Sequence, residues 1–380
     1  MISDSIVRDS KLIVCVGSGG VGKTSVSASL ALRGAMLGRR VLVLTIDPAK
    51  RLANSLGLSD IGNKEHRVEL GGLFTGELSA MMLDTGQTFD SLIDKVAPDD
   101  ATRDAIRGNR IYQTLSNHFS GSQEYMASEA LYDLVESGRF DLVVLDTPPA
   151  KNALNFFEAS SKLARFLDPK VIKWFLLPYR ERKGLGRLMM GSSVLMFKLL
   201  SAIFGKDFLS EFSEFLINFE KLYDGFQTRH HAVHELLREK ETTRFVTVCA
   251  ATEASMEVSR YFIEELRTRD LPLAGIVVNK MLSTVELDPA EMGQLKLDLD
   301  ALEGDFDREE LLEKLSQSHT EMREQSEIEQ RLFSEFSQST SDSLGGGFLA
   351  KTPCIRGEVH DIRALVTLAN HLFGTLEDQK

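Results

Sequence analysis

Eight consecutive residues, Gly17-Ser18-Gly19-Gly20-Val21-Gly22-Lys23-Thr24, are of the right types and spacing to hold phosphate. They satisfy the pattern G-x-x-x-x-G-K-[ST] at every position. The glycines let backbone N–H groups close around phosphate oxygens. Lys23 supplies a charge that reaches the β- and γ-phosphates, and the Thr24 hydroxyl is an oxygen ligand suited to Mg²⁺. Gly19, Gly20, Val21, Gly22 and Ser25 complete the expected contacts to a nucleotide. Two carboxylates add to this set. Asp146 opens Asp146-Thr147-Pro148-Pro149-Ala150 and can hold Mg²⁺ through water. Asp47, in Thr45-Ile46-Asp47-Pro48-Ala49, can orient or deprotonate an attacking water. The same Asp47 also reads as a helix N-cap with Pro48 in the first helical position.

These residues need a frame, and the flanking sequence provides one. Lys11–Val16 is a short apolar run of the kind a buried parallel strand shows. Val26 and Leu30 give the residues after the loop a helical rhythm, with Gly38 as the stop. A helix starting at the loop adds its dipole to phosphate binding. Further strand-like runs are Arg40–Ile46, Leu78–Leu83, Phe140–Leu145, Arg244–Cys249, Leu273–Val278 and Phe348–Cys354. Alternation of such runs with helical stretches predicts an α/β fold with a mostly parallel central sheet flanked by helices. Ligands in these sheets lie at the carboxyl ends of the strands, and Asp47, Asp146 and Asn279 each follow a strand.

Two segments do not read as sheet. Residues 155–240 have a helical pattern and carry 11 of the 22 phenylalanines, together with Met189, Met190 and Met196. They are expected to form an inserted helical subdomain. Residues 284–345 are expected to form a charged helical insertion, with Gly345–Gly347 as a flexible return loop. The nucleotide-binding core is then 1–154 with 241–283 and 346–380.

A net charge of −12 argues against broad nucleic-acid binding. Cys15, Cys249 and Cys354 are far apart, and two lie in apolar runs, as reduced cysteines of a cytosolic protein do. The N-terminus shows no signal-peptide core. A cytoplasmic location is expected, with peripheral contact at the inner face of the membrane as its extension.

The phosphate loop, Asp47-Pro48-Ala49, Asp146-Thr147-Pro148-Pro149 and Val278-Asn279-Lys280 occur in the order seen in the ArsA/Get family. The chain resembles those P-loop ATPases from Lys11 to about His371, most closely the bacterial type matched here by Asp146 to Phe156. The resemblance implies ATP and Mg²⁺ as cofactors, Asp47 as the switch I aspartate that activates water, and Asp146 as the switch II aspartate near Mg²⁺. It implies that Asn279 reads adenine. Leu282 stands where a GTPase would have an aspartate, so nothing pairs with the guanine donors and ATP is favoured.

The chain departs from the family at Ser18. Most members have lysine there, reaching across a dimer to the partner's phosphates, and serine has neither the charge nor the reach. Three consequences stay open: a heterodimer with a related lysine-containing subunit, replacement by Lys50 or Lys151, or slow hydrolysis by a homodimer. The zinc-clamping C-x-x-C of the eukaryotic targeting members is also missing. His230 and His234, spaced i, i+4, have metal-ligand spacing, but with no acidic-ligand signature nearby they read as a solvated helix face rather than a metal site.

Phe208, Phe212, Phe215 and Phe219 mark one face of a helix. That stripe is either the subdomain's own core or a groove for a hydrophobic client helix or membrane protein, for which Met-rich surfaces are adaptable. The competing class is a MinD/ParA-like positioning protein with incidental hydrolysis. It would use an amphipathic C-terminal helix on a membrane, whereas Asp361–Phe373 reads more simply as a core-packing helix.

Overall fold

The computed structural model describes residues 1–46, 51–58, 64–72, 74–83, 85–113, 122–148, 205–283, 298, 307–355 and 361–375. Its strands are β1 (Leu12–Gly17), β2 (Arg40–Thr45), β3 (His66–Arg67), β4 (Glu77–Met82), β5 (Leu142–Asp146), β6 (Thr243–Ala250), β7 (Leu273–Met281) and β8 (Phe348–Pro353). They form one sheet in the order β3-β4-β2-β5-β1-β6-β7-β8. All neighbours are parallel except β3 and β4. This is the α/β architecture expected from the alternating apolar runs. The addition is β3, two exposed residues antiparallel to β4 that carry no apolar signal.

Both faces of the sheet are covered, which is why its strands are apolar throughout rather than alternating. Ile13 and Cys15 of β1 face one cluster, shared with Val26 and Leu30 of the helix Lys23–Met36 and Leu365, Leu368 and Leu372 of the helix Ile362–Phe373. Leu12, Val14 and Val16 face the other, with Leu131, Val233, Leu237, Phe262 and Leu266. The apolar face of the C-terminal helix is therefore spent on the core. Of the described residues, no helix is long and apolar enough to cross a membrane.

The phenylalanine stripe lies on the helix Lys206–Glu220. Phe215 and Phe219 are buried with Leu92, Ile93, Ile106, Tyr112 and Phe226. Phe208, at the other end, is 40% exposed. Half of the stripe is thus packed against helices from earlier in the chain, and residues 155–204 lie outside the described residues. The charged segment contains a helix, Arg308–Leu344, that ends at Gly345 in the left-handed conformation, and Gly345–Gly347 then lead to β8 outside any helix or strand.

Burial also decides the cysteines. The Cys15 thiol is pushed up to about 12 chiefly by burial, with Asp146 adding to the rise. Burial pushes Cys249 up to about 11. Cys354 is exposed. Because the thiolate is the reactive form, a disulfide-exchange reagent at mildly alkaline pH should titrate one thiol quickly in the folded chain and all three after denaturation. Rapid modification of Cys15 or Cys249 in the folded protein would contradict this.

Candidate functional site

β1 lies between β5 and β6, and the chain leaves it in one direction for β2 and later returns on the other side to β6. Such a switch point opens a crevice at the carboxyl ends of the strands. The phosphate loop fills it. Gly17 closes β1, where an added Cβ would come within 2.0 Å of the Val248 carbonyl oxygen. Gly20 and Gly22 have φ of 78° and 87°, a region costly for residues with a side chain. Gly22 caps the helix Lys23–Met36, so the helix N-terminus opens at the loop.

The register of the parallel strands brings the candidate chemistry together. Cys15 of β1 pairs with Asp146 of β5, and Thr45 of β2 pairs with the same aspartate. The Thr24 hydroxyl donates to Asp146 Oδ2 at 2.8 Å and the Thr45 hydroxyl to the same oxygen at 3.3 Å. Thr147 continues the strand end by donating to the Cys15 carbonyl at 2.7 Å. Asp146 is 1% exposed. A hydroxyl and a buried carboxylate converging on one point form an oxygen-only donor set, which suits a hard divalent cation. Lys23 is 7% exposed and arches back over the loop to donate to the Ser18 carbonyl at 2.8 Å.

Asn279 comes to the loop from β7. Its Nδ2 donates to the Val21 carbonyl at 2.8 Å, and its Oδ1 accepts from the Thr352 hydroxyl of β8 at 2.5 Å. Lys280 Nζ donates to the Gly20 carbonyl at 3.0 Å. Ser18 turns to the other flank, its hydroxyl 3.0 Å from that of Ser255. The Ala250 N–H in turn donates to Ser255 Oγ at 3.0 Å. Position 18 is therefore tied within its own chain.

Gly19, Gly20, Val21, Gly22, Lys23, Thr24, Ser25, Asp146 and Asn279 thus gather at one end of the sheet. Asp47 and Lys50 lie outside the described residues, as does Lys151. Thr45, Lys280, Ser255 and Thr352 were not singled out by sequence reasoning. Thr45 and Lys280 had a signal, as sequence neighbours of strand-end motifs. Ser255 and Thr352 had none, being remote polar residues that only the strand order brings near.

The histidines offer little as a metal site. The His230 and His234 rings stand 4.5 Å apart between centroids, and burial is the main cause that lowers both from the ordinary imidazole range. Among the described residues, no group of three or more His, Cys, Asp or Glu is placed to hold a metal ion.

Comparison with known proteins agrees with this arrangement. The model of the family described as anion-transporting ATPase matches residues 10–303. The chain is similar to an ATPase get3 of Aspergillus terreus, 29% identical over 284 residues, 73% of this chain and 76% of that one. It is also similar to an ATPase ASNA1 homolog of Babesia bovis, 27% identical over 271 residues, covering 71% and 66% of the two chains. An ATPase GET3 of Ajellomyces dermatitidis is 28% identical over 272 residues, 70% and 71% of the two. A glycine loop at the switch point, a hydrogen-bonded threonine–aspartate pair beside it and a family match spanning β1 to β7 lead to one conclusion: the chain belongs to the anion-transporting ATPase family, as a P-loop ATPase of the ArsA/Get type.

Proposed function

We propose that the chain is a Mg²⁺-dependent ATP switch whose nucleotide lies on the loop Gly19–Ser25. Lys23 holds the β- and γ-phosphates. Thr24 and Asp146 hold the metal, Asp146 partly through water, and the metal supplies charge to the phosphate oxygens. Asp47 serves the attacking water, and Asn279 stands on the side of the base. The observation that carries this reading is the 2.8 Å contact between Thr24 and the buried Asp146, made at a helix N-terminus.

ATP then closes a dimer, and that closure is coupled to a hydrophobic client helix or a membrane partner through the segment 155–240, inserted in the core formed by 1–154, 241–283 and 346–380. The exposed Phe208 beside the half-buried Phe212 supports an apolar surface at the start of the helix Lys206–Glu220. The charged segment 284–345 is a second insertion. The protein works in the cytoplasm, or peripherally at the inner face of the membrane. Because Ser18 is bonded to Ser255 rather than reaching outward, a heterodimer with a related lysine-bearing subunit is favoured over self-activation by a homodimer.

The test is equilibrium binding of Mg-ATP to the full chain. Lys23→Met removes a charged donor, an interaction of ~1.5–3 kcal/mol, so affinity should fall roughly 10–100-fold. Unchanged affinity would remove the loop from the nucleotide site. Phosphate release by the isolated chain, compared with Ser18→Lys, addresses the partner: fast turnover of the wild type alone would end the case for a second subunit.

A further inference from the structure

A phosphate loop works only if its N–H groups point inward. The peptide group is planar and trans, so the carbonyl of one residue and the N–H of the next point in opposite directions. Whatever holds a carbonyl outward therefore aims the following N–H inward. Two successive loop carbonyls are held in this way by side chains from one strand end. Lys280 Nζ donates to the Gly20 carbonyl at 3.0 Å, which sets the N–H of Val21. Asn279 Nδ2 donates to the Val21 carbonyl at 2.8 Å, which sets the N–H of Gly22.

From this geometry we infer that Asn279 and Lys280 are positioning residues that orient the Val21 and Gly22 amides of the phosphate loop. The inference rests on the reading of that loop as the ATP site, and it goes beyond a role for Asn279 at the base.

Three further observations support it. Consecutive residues of a strand normally point to opposite faces, yet Asn279 and Lys280 grip the same loop. Lys280 has φ of +62°, left-handed for a residue with a long side chain, and this breaks the alternation. Backbone strain of this kind persists only where the surroundings hold it. Next, an added Cβ at Gly22 would stand 2.3 Å from Asn279 Nδ2, so the loop has a glycine where the amide approaches. Finally, Asn279 is fixed from behind. Thr352 donates to its Oδ1, and the strand end beyond it is held by the long helix, where Glu329 accepts from the Leu282 N–H at 2.7 Å and Ser326 donates to the Leu282 carbonyl at 3.0 Å. Asn279 is 4% exposed, which makes its amide a fixed donor.

A role at the base and a role in the loop separate cleanly when the base is removed from the ligand. The experiment measures displacement of a fluorescent ATP analogue by Mg-ATP and by Mg-tripolyphosphate on the full chain. It uses wild type, Asn279→Ala, Lys280→Met, Lys280→Arg and Lys23→Met. Expected is a parallel loss for both ligands of about 10-fold in Asn279→Ala and Lys280→Met, the effect of one such hydrogen bond. Lys280→Arg keeps a donor and should recover most of the loss. Asn279 is neutral, so a matching loss there cannot come from charge. Thermal unfolding of the nucleotide-free protein should not move in Lys280→Met, whose side chain is exposed. That variant decides the matter if Asn279→Ala folds poorly.

Weaker ATP binding with unchanged tripolyphosphate binding in either variant would overturn the inference and return Asn279 to the base alone. Loss in Lys23→Met without loss in Lys280→Met would overturn the inference and keep the loop as the ATP site. Unchanged tripolyphosphate binding in Lys23→Met would remove the site itself, and the inference with it.

Discussion

Asp4→Ala is expected to lower the stability of the folded chain by about 3–5 kcal/mol, the cost of leaving a buried charge without its partner. Arg33 lies in the helix that starts at the phosphate loop, and its side chain is 0% exposed. Its Nε and Nη2 donate to the two carboxylate oxygens of Asp4 at 2.8 and 3.1 Å. Nη1 donates to the Gly374 carbonyl at 3.2 Å, and the guanidinium stands 5.4 Å from the centre of the Phe373 ring. One side chain thus joins the N-terminal segment, the phosphate-loop helix and the end of the C-terminal helix. Near it the Ile2 N–H donates to the Leu372 carbonyl at 2.7 Å. Folded proteins have only ~5–15 kcal/mol in hand, so this loss is a large fraction of the total. Urea unfolding of Asp4→Ala measures it. The double variant Asp4→Ala with Arg33→Leu should recover much of the loss, because it removes the charge along with its partner. A single variant within about 1 kcal/mol of wild type would show that Asp4 is an exposed-type pair after all.

Nothing in the spacing of Asp4 and Arg33 announces this pair. Arg33 sits in a helix whose apolar rhythm was carried by Val26 and Leu30, and a polar residue in such a helix is ordinarily assigned to the wet face. It is buried because the helix has a second layer over it, the C-terminal helix, which pairwise sequence patterns do not reveal. The phosphate loop was legible for the opposite reason: its chemistry is local, and eight neighbouring residues carry nearly all of it. The strands were legible because a sheet covered on both faces needs continuous apolar runs. β3 was not, since His66 and Arg67 are exposed and polar, and they are held by backbone pairing and an ion pair from Arg67 to Glu77 of β4. The glycines 345–347 suggested a loop, and they follow the helix that ends at Leu344, with Gly345 as its left-handed cap. Ser18 could be seen to lack a lysine's charge, but its bond to Ser255, 237 residues away, depends on β6 lying next to β1. Asn279 was legible as a residue of the site. Lys280 carried only the signal of its neighbour Asn279, because alternation along a strand places it on the far face unless its backbone turns left-handed.

Asp146→Asn is expected to leave the fold intact and to lower ATP turnover by about 100-fold or more, with the loss traceable to the metal. Asparagine keeps the shape and one acceptor oxygen, so the contact from Thr24 at 2.8 Å can be retained. What it loses is the charge. Asp146 is 1% exposed at the end of β5, between the hydroxyls of Thr24 and Thr45, so no water layer compensates for that loss. A hard cation depends on anionic oxygen more than on neutral oxygen, and its charge stabilisation is worth several kcal/mol in phosphoryl transfer. Each 1.36 kcal/mol is about tenfold in rate. Steady-state phosphate release over a range of Mg²⁺ concentrations measures the effect, and the half-saturating concentration should rise along with the fall in kcat. Binding of ATP in the presence of a chelator should be unchanged, since Lys23 and the loop amides remain. Thr24→Val probes the same point from the other side. If the hydroxyl and the carboxylate serve one ion, the double variant will be little worse than Asp146→Asn alone, because groups acting as a unit are not additive. Wild-type turnover in Asp146→Asn at the same Mg²⁺ concentration would mean that the threonine–aspartate pair is a structural hydrogen bond, and the metal would have to be sought elsewhere.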